Sequence, residues 1–193
     1  MFEEIIQNHL LQSAEIKRAV AEKCLADIVK AAQLLTETLA EDNKILLCGN
    51  GGSAADCQHI AAEFVSVLTQ NFIRPGLSAI ALTTDTSFIT ANANDFGFDG
   101  IFERQVQALG RKGDALIGIS TSGNSQNVWQ AINLANENGI KTIAFTGESG
   151  GKIAEVADVT IKVPSTNTQF IQESHIAVGH ILCELVERGL FTD

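Results

Sequence analysis

Apolar residues recur at three- and four-residue spacing through the first 43 positions, as in IIQNHLLQSAEI and CLADIVKAAQLLTETLA. This spacing predicts two amphipathic helices ahead of any strand. From residue 44 the pattern changes to a repeating alternation of a short apolar run, a polar loop and a helical stretch, the rhythm of βα units. The runs KILLC (44–48), LSAIAL (77–82), DALIGIS (114–120), KTIAFT (141–146) and VTIKV (159–163) predict five strands. They are apolar without alternation, so both faces of the sheet are expected to be buried, as in parallel sheets. Helices are predicted near 53–69, 86–93, 99–110, 125–138, 149–156 and 169–190, and Gly110 and Gly139 stand where a left-handed residue would end a helix.

Five parallel strands joined by right-handed crossovers make a flavodoxin-like, doubly wound α/β sandwich, here with extra N-terminal helices. Such sheets bind ligands outside the carboxyl ends of their strands. The 193 residues suit one domain, 1–193, with no linker, repeat or low-complexity tract to divide it. A chain that is 45% hydrophobic has the material for a buried core, which excludes a disordered class. Its formal net charge of −10 argues against nucleic acid, whose phosphates are bound through surplus Lys and Arg. The opening residues lack a basic leader and no apolar run approaches the roughly 20 residues of a membrane span, so a cytoplasmic protein without membrane contact is expected. Cys24, Cys48, Cys57 and Cys183 contain no C-x-x-C and are expected as buried free thiols.

The first strand runs into CGNGGS (48–53) and the third into STSGNS (120–125). Neither is a nucleotide loop. The P-loop lysine is missing, G-x-G-x-x-G is met only with Ala54 at its third place, and Asp85 sits in a hydroxyl-rich loop instead of ending the second strand. Both loops do offer backbone N–H groups at a helix start with hydroxyls beside them: Ser53 in the first, Ser120, Thr121, Ser122 and Ser125 in the second. That is equipment for holding a phosphate without cations, although Ser53 and Ser125 would look the same as plain helix N-caps.

His59 and Glu63 are four apart and share a helix face, as a metal pair, a proton-transfer pair or an ordinary surface pair would. On the last helix Gln172 and His180 lie about 80° apart around the axis and about 12 Å apart along it. Both can serve one site only if the helix bends or two chains contribute. His175, about 140° from His180, reads as structural.

CGNGGSAAD, AIALTTDTS, NDFGFDGIFERQVQALGRKGD, LIGISTSGNSQNV and AFTGESGGKIAEVADVTIKVPS together make the chain resemble, over essentially its whole length, the sugar isomerase (SIS) domain family and within it the phosphoheptose isomerases. The resemblance implies interconversion of sedoheptulose 7-phosphate and D-glycero-D-manno-heptose 7-phosphate, the first step toward the heptose of lipopolysaccharide. It also implies a homotetramer with shared active sites, residues 1–43 lying in the oligomer interface, and bound zinc. Carried onto this sequence, it makes Glu63 the base and His180 the acid. His59, Glu63, Gln172 and His180 become the zinc ligands. Asn50, Gly51, Gly52, Ser53, Glu63, Asn94, Asp95, Ser120, Thr121, Ser122, Ser125 and Gln172 become the substrate contacts. Aldose–ketose isomerisation through an enediol needs a carboxylate near carbon and an acid near oxygen, so the residue types agree. Val67, Gln169 and Phe170 depart from the family pattern, which places Arg near the first and third. The alternative is a non-catalytic relative that binds the replication initiator; a retired site should have lost Glu63 or His180, and this chain keeps both.

Overall fold

The computed structural model describes residues 1–192. Its five strands, β1 (Ile45–Gly49), β2 (Ala79–Ala81), β3 (Ala115–Ile119), β4 (Lys141–Thr146) and β5 (Val159–Lys162), pair in parallel in the order β2-β1-β3-β4-β5. The chain leaves β1 toward β2 on one side and resumes with β3 on the other. The β1/β3 boundary is therefore the topological switch point, where a crevice opens above the strand ends.

Strand residues alternate between two cores, which explains why the strands read as unbroken apolar runs. Ile45, Leu47, Ile117, Ile143, Phe145 and Ile161 join a core with helices α1 (Phe2–Lys23), α2 (Leu25–Ala40), α3 (Gly52–Val65) and α7 (Thr168–Phe191). Leu46, Cys48, Leu116 and Ala144 join the other core, with α5 (Ile101–Leu109) and α6 (Gln126–Glu137). The remaining helix, α4 (Thr86–Phe96), buries no residue; Asp85 caps it by accepting from the Phe88 N–H at 2.9 Å.

The two leading helices form as the spacing predicts but differ in what they cover. Ala31, Ala32 and Leu35 of α2 are buried against this chain's own sheet. By contrast α1 buries only Ser13 and Val20 and is fastened to α7 through polar groups: His9 Nε2 lies 2.8 Å from Glu173 Oε1, and Ser13 and Lys17 donate to Glu173 Oε2.

Two details overturn the sequence reading. The segment 149–156 is a series of turns, not a helix. Gly150 and Gly151 adopt φ of +73° and +53° where a right-handed helix would begin, and the Ile153 N–H bonds to the Gly123 carbonyl at 3.0 Å. Gly139 ends α6 with φ +70°, as expected, but Gly110 is extended at φ −70° and ψ 144°. What position 110 requires is space: a Cβ there would lie 2.6 Å from Ile140 Cδ1 and 2.7 Å from the Val106 carbonyl.

Candidate active site

Both serine- and glycine-rich loops reach the switch point. Asn50, which follows β1, and Asn127 in the first turn of α6 exchange reciprocal side-chain hydrogen bonds at 2.9 Å. These bonds tie the loop after β1 to the helix that follows the loop after β3. Ser120 Oγ and Ser125 Oγ lie 2.9 Å apart. Ser125 is at the N-cap of α6, yet its hydroxyl makes no cap bond; the N-cap of α3 is Gly51, with Ser53 buried in the first turn. Neither serine is thus spent on capping: Ser120 and Ser125 pair with each other, and Ser122 Oγ accepts from the Asn124 N–H at 3.1 Å. Thr121 and Ser122 line a cavity of about 310 Å³ with Gly147, Ser165 and Thr168.

Helices α3 and α7 run side by side in the same direction, in step rung by rung. Gln172 lies over Gly52, where a Cβ would come within 2.6 Å of its Nε2. Eight residues on, His180 meets His59, their Nε2 atoms 2.9 Å apart. Gly179 permits this approach: a Cβ there would lie 2.6 Å from Ile60 Cδ1. His59 Nε2 is also 3.2 Å from Glu63 Oε1, and the ligand atoms of His59, Glu63 and His180 all fall within 4.8 Å of one another.

One nitrogen from each histidine and a carboxylate oxygen match zinc's preferences, and donors bound at about 2.0–2.2 Å in a tetrahedron stand roughly 3.3 Å apart. The His59–His180 and His59–Glu63 separations, 2.9 and 3.2 Å, are close to that value. His180 joins the α3 pair within a single chain; Gln172, about 12 Å back along α7, lies at the glycine loop instead. Asn94 and Asp95 are exposed on α4, where Asn94 Nδ2 donates to Asp95 Oδ1 at 2.8 Å.

Asp56, absent from the sequence-predicted set, stands three residues before His59 on α3 with its Oδ2 buried and unpartnered. Burial raises its carboxyl pKa, and the nearby His59 and His180 oppose the rise. Its i, i+3 spacing from His59 was the available signal. Beneath the cluster, Cys183 is buried with Glu63 and Glu187 nearby; burial pushes its thiol up to about 12, so it stays neutral. All four cysteines are free and buried, as expected. His175 is the structural histidine: fully buried, with Nε2 3.1 Å from the Thr146 carbonyl and its pKa lowered to about 4 by burial.

Residues 9–147 match the SIS domain family. The chain is 50% identical over 188 residues to the phosphoheptose isomerase of Akkermansia muciniphila, covering 97% of this chain and 98% of that one. The chain belongs to the SIS domain family, among its phosphoheptose isomerases. A second such relative, from Aquifex aeolicus, is 54% identical over 184 residues, 95% of each chain. The solved phosphoheptose isomerase of Neisseria gonorrhoeae superposes with a TM-score of 0.91 at 46% identity, covering 96% of this chain and 98% of that one. The SIS fold accounts for the order of the sheet and for the loops gathered at its switch point.

Proposed function

We propose that the protein is an aldose–ketose isomerase that interconverts sedoheptulose 7-phosphate and D-glycero-D-manno-heptose 7-phosphate through an enediol, at the start of heptose supply for lipopolysaccharide. The observation that carries this reading is the joining of Glu63 with His180 and His59, about two to three turns along α3 from the glycine- and hydroxyl-rich loops at the switch point. Relatives at 50% and 54% identity bear the name of that activity.

The N–H groups and hydroxyls of Gly51, Gly52, Ser53, Ser120, Thr121, Ser122 and Ser125 hold the phosphate, with Asn50 fixing the first loop. This anchor orients the other end of the sugar toward α3 and α7. Glu63 takes the proton from one carbon and returns it to its neighbour, while His180 moves the proton between the two oxygens. Gln172, lying over Gly52, contacts substrate, and Asn94 and Asp95 reach it from the exposed α4.

His59, Glu63 and His180 would hold zinc, and the ion when bound supplies positive charge to the sugar's hydroxyl and carbonyl oxygens. A carboxylate engaged by a metal would not be free to accept a proton, so the roles of ligand and base compete at Glu63. In a homotetramer with shared sites, Gln172 from a second copy of the chain would complete that ligand set. We assign the protein to the cytoplasm, whose reducing conditions suit four free thiols; no helix among the described residues is long and apolar enough to cross a membrane.

The test is incubation with sedoheptulose 7-phosphate in D₂O, with and without added zinc, followed by NMR. Aldose carrying deuterium at C2 is the expected product. No aldose under either condition would overturn the assignment and favour a binding role, with Val67, Gln169 and Phe170 the first positions to inspect.

A further inference from the structure

We infer that Arg74 is a positioning residue for the proton-transfer pair, its guanidinium locking the end of the helix that carries Glu63 to the helix that carries His180. The inference rests on the isomerase reading for what the pair does, and on geometry alone for the lock.

Helix α3 stops at Val65, so Glu63 sits in its last turn, where carbonyls lack intrahelical partners. Arg74, in the connection from α3 to β2, returns to that end with its side chain 1% exposed. Its Nη2 donates to the Glu63 carbonyl at 2.8 Å, and its Nη1 donates to the carbonyls of Phe64 at 2.6 Å, Ser66 at 3.0 Å and Pro75 at 3.0 Å. The residue whose carboxylate acts as base is therefore held by its own backbone oxygen. The cation also lies at the negative end of the α3 dipole.

The other half of the lock is Glu187 on α7, 4% exposed. Its Oε1 accepts from Arg74 Nε at 2.9 Å and from the Leu68 N–H at 3.1 Å, with Arg74 Nη2 at 2.8 Å. Glu187 follows His180 by seven residues, about two turns, so both face α3 along one stripe. The two helices thus meet at His59 with His180, and are joined again where Arg74 bridges the end of α3 to Glu187. Shortly after His180 the ion pair fixes the register that sets the separation of base and acid. A buried carboxylate left alone would be strongly unfavourable, which makes the pair a two-way constraint. Lysine cannot replace the fork, because one ammonium cannot reach four carbonyls and a carboxylate together.

The experiment compares the full-length protein with Arg74→Lys and Glu187→Gln, measuring kcat and KM for sedoheptulose 7-phosphate alongside the melting temperature. Because about 1 Å of misplacement can cost 100-fold, Arg74→Lys should lower kcat about 10- to 100-fold. KM should move by less than about threefold, since the phosphate is held at the far end of α3. Glu187→Gln keeps an acceptor for Leu68 and should show a smaller loss of the same kind. A lower melting temperature with wild-type kcat in the folded protein would make Arg74 merely structural and overturn the inference. If Arg74→Lys does not fold, Glu187→Gln alone decides, by the same split. Should the wild type itself fail to turn over, the isomerase reading falls and the lock is judged by hydrogen exchange at Ser66 and Leu68. Faster exchange in Glu187→Gln supports it there, and unchanged exchange overturns it.

Discussion

At position 52 one methyl group separates binding from folding. Gly52 opens α3 without a positive φ, and a Cβ there meets only the flexible amide end of Gln172, at 2.6 Å. Gly52→Ala should therefore leave stability within about 0.5 kcal/mol of wild type while pushing Gln172 aside, which appears as a KM raised about 10-fold, the effect of roughly one lost hydrogen bond. Steady-state kinetics alongside chemical denaturation checks both halves; an unchanged KM would remove Gln172 from the substrate. Glu63→Gln keeps the shape of the proposed base and removes its function, so kcat should fall about 10²- to 10⁴-fold with the fold intact. His59→Ala removes one of three donors held within 4.8 Å, so the zinc proposed for this site should be lost, as elemental analysis of the variant beside wild type would read. The pairing of His59 with Glu63 was legible because i, i+4 fixes a shared face whatever surrounds the helix. The approach of His180 was implied by the family resemblance alone, since it depends on how α7 lies against α3, and nothing local to Arg74 announces that its fork will turn back onto carbonyls ten and eleven residues earlier.

Among the elements, the strands and most helices were legible because burial on both faces leaves an apolar run and burial on one face leaves a 3.6-residue period. The failure at 149–156 came from two adjacent glycines whose left-handed backbone cancels a helical pattern of side chains. The attachment of α1 to α7 was equally invisible, for it rests on Glu173 and not on an apolar stripe. Hydrogen bonds from Ser13 and then His9 lower the Glu173 pKa from 4.5 to about 2. A carboxyl depressed in the folded state contributes stability that is complete above its unfolded pKa and is lost as pH falls through the folded one. Between about pH 4.5 and 2, α1 should therefore loosen from α7. Both partners are over one-third exposed, so solvent screening keeps the effect small. Hydrogen exchange along α1 would follow it, and in Glu173→Gln the pH dependence over that window should flatten. A variant that retained the full dependence would place the titration elsewhere.

For the whole molecule the decisive quantity is what α1 leaves uncovered. Phe2, Ile5, Ile6, Leu10 and Leu11 are all more than half exposed, from 57% to 75%. Phe96, the last residue of α4, and Phe98, just beyond it, are 81% and 53% exposed. Exposed apolar residues along one helix are what an interface would cover, and the homotetramer we propose would cover them; in it, Gln172 of one copy would approach the histidines of another. Each chain carries a formal net charge of −10, so four copies repel one another at long range and the apolar contacts must overcome that repulsion. Raising the salt screens the repulsion and leaves the hydrophobic contribution in place. Association should therefore tighten between about 0.01 and 0.15 M salt, over which the Debye length shortens from about 30 to 8 Å. Light scattering across dilutions at both salt levels measures this, with four times the chain mass expected at the higher one. In Leu10→Glu/Leu11→Glu the added charge lies in the covered surface, so assembly and turnover should fall together if the sites are shared. Full activity from a dissociated form would show that one chain carries a complete site.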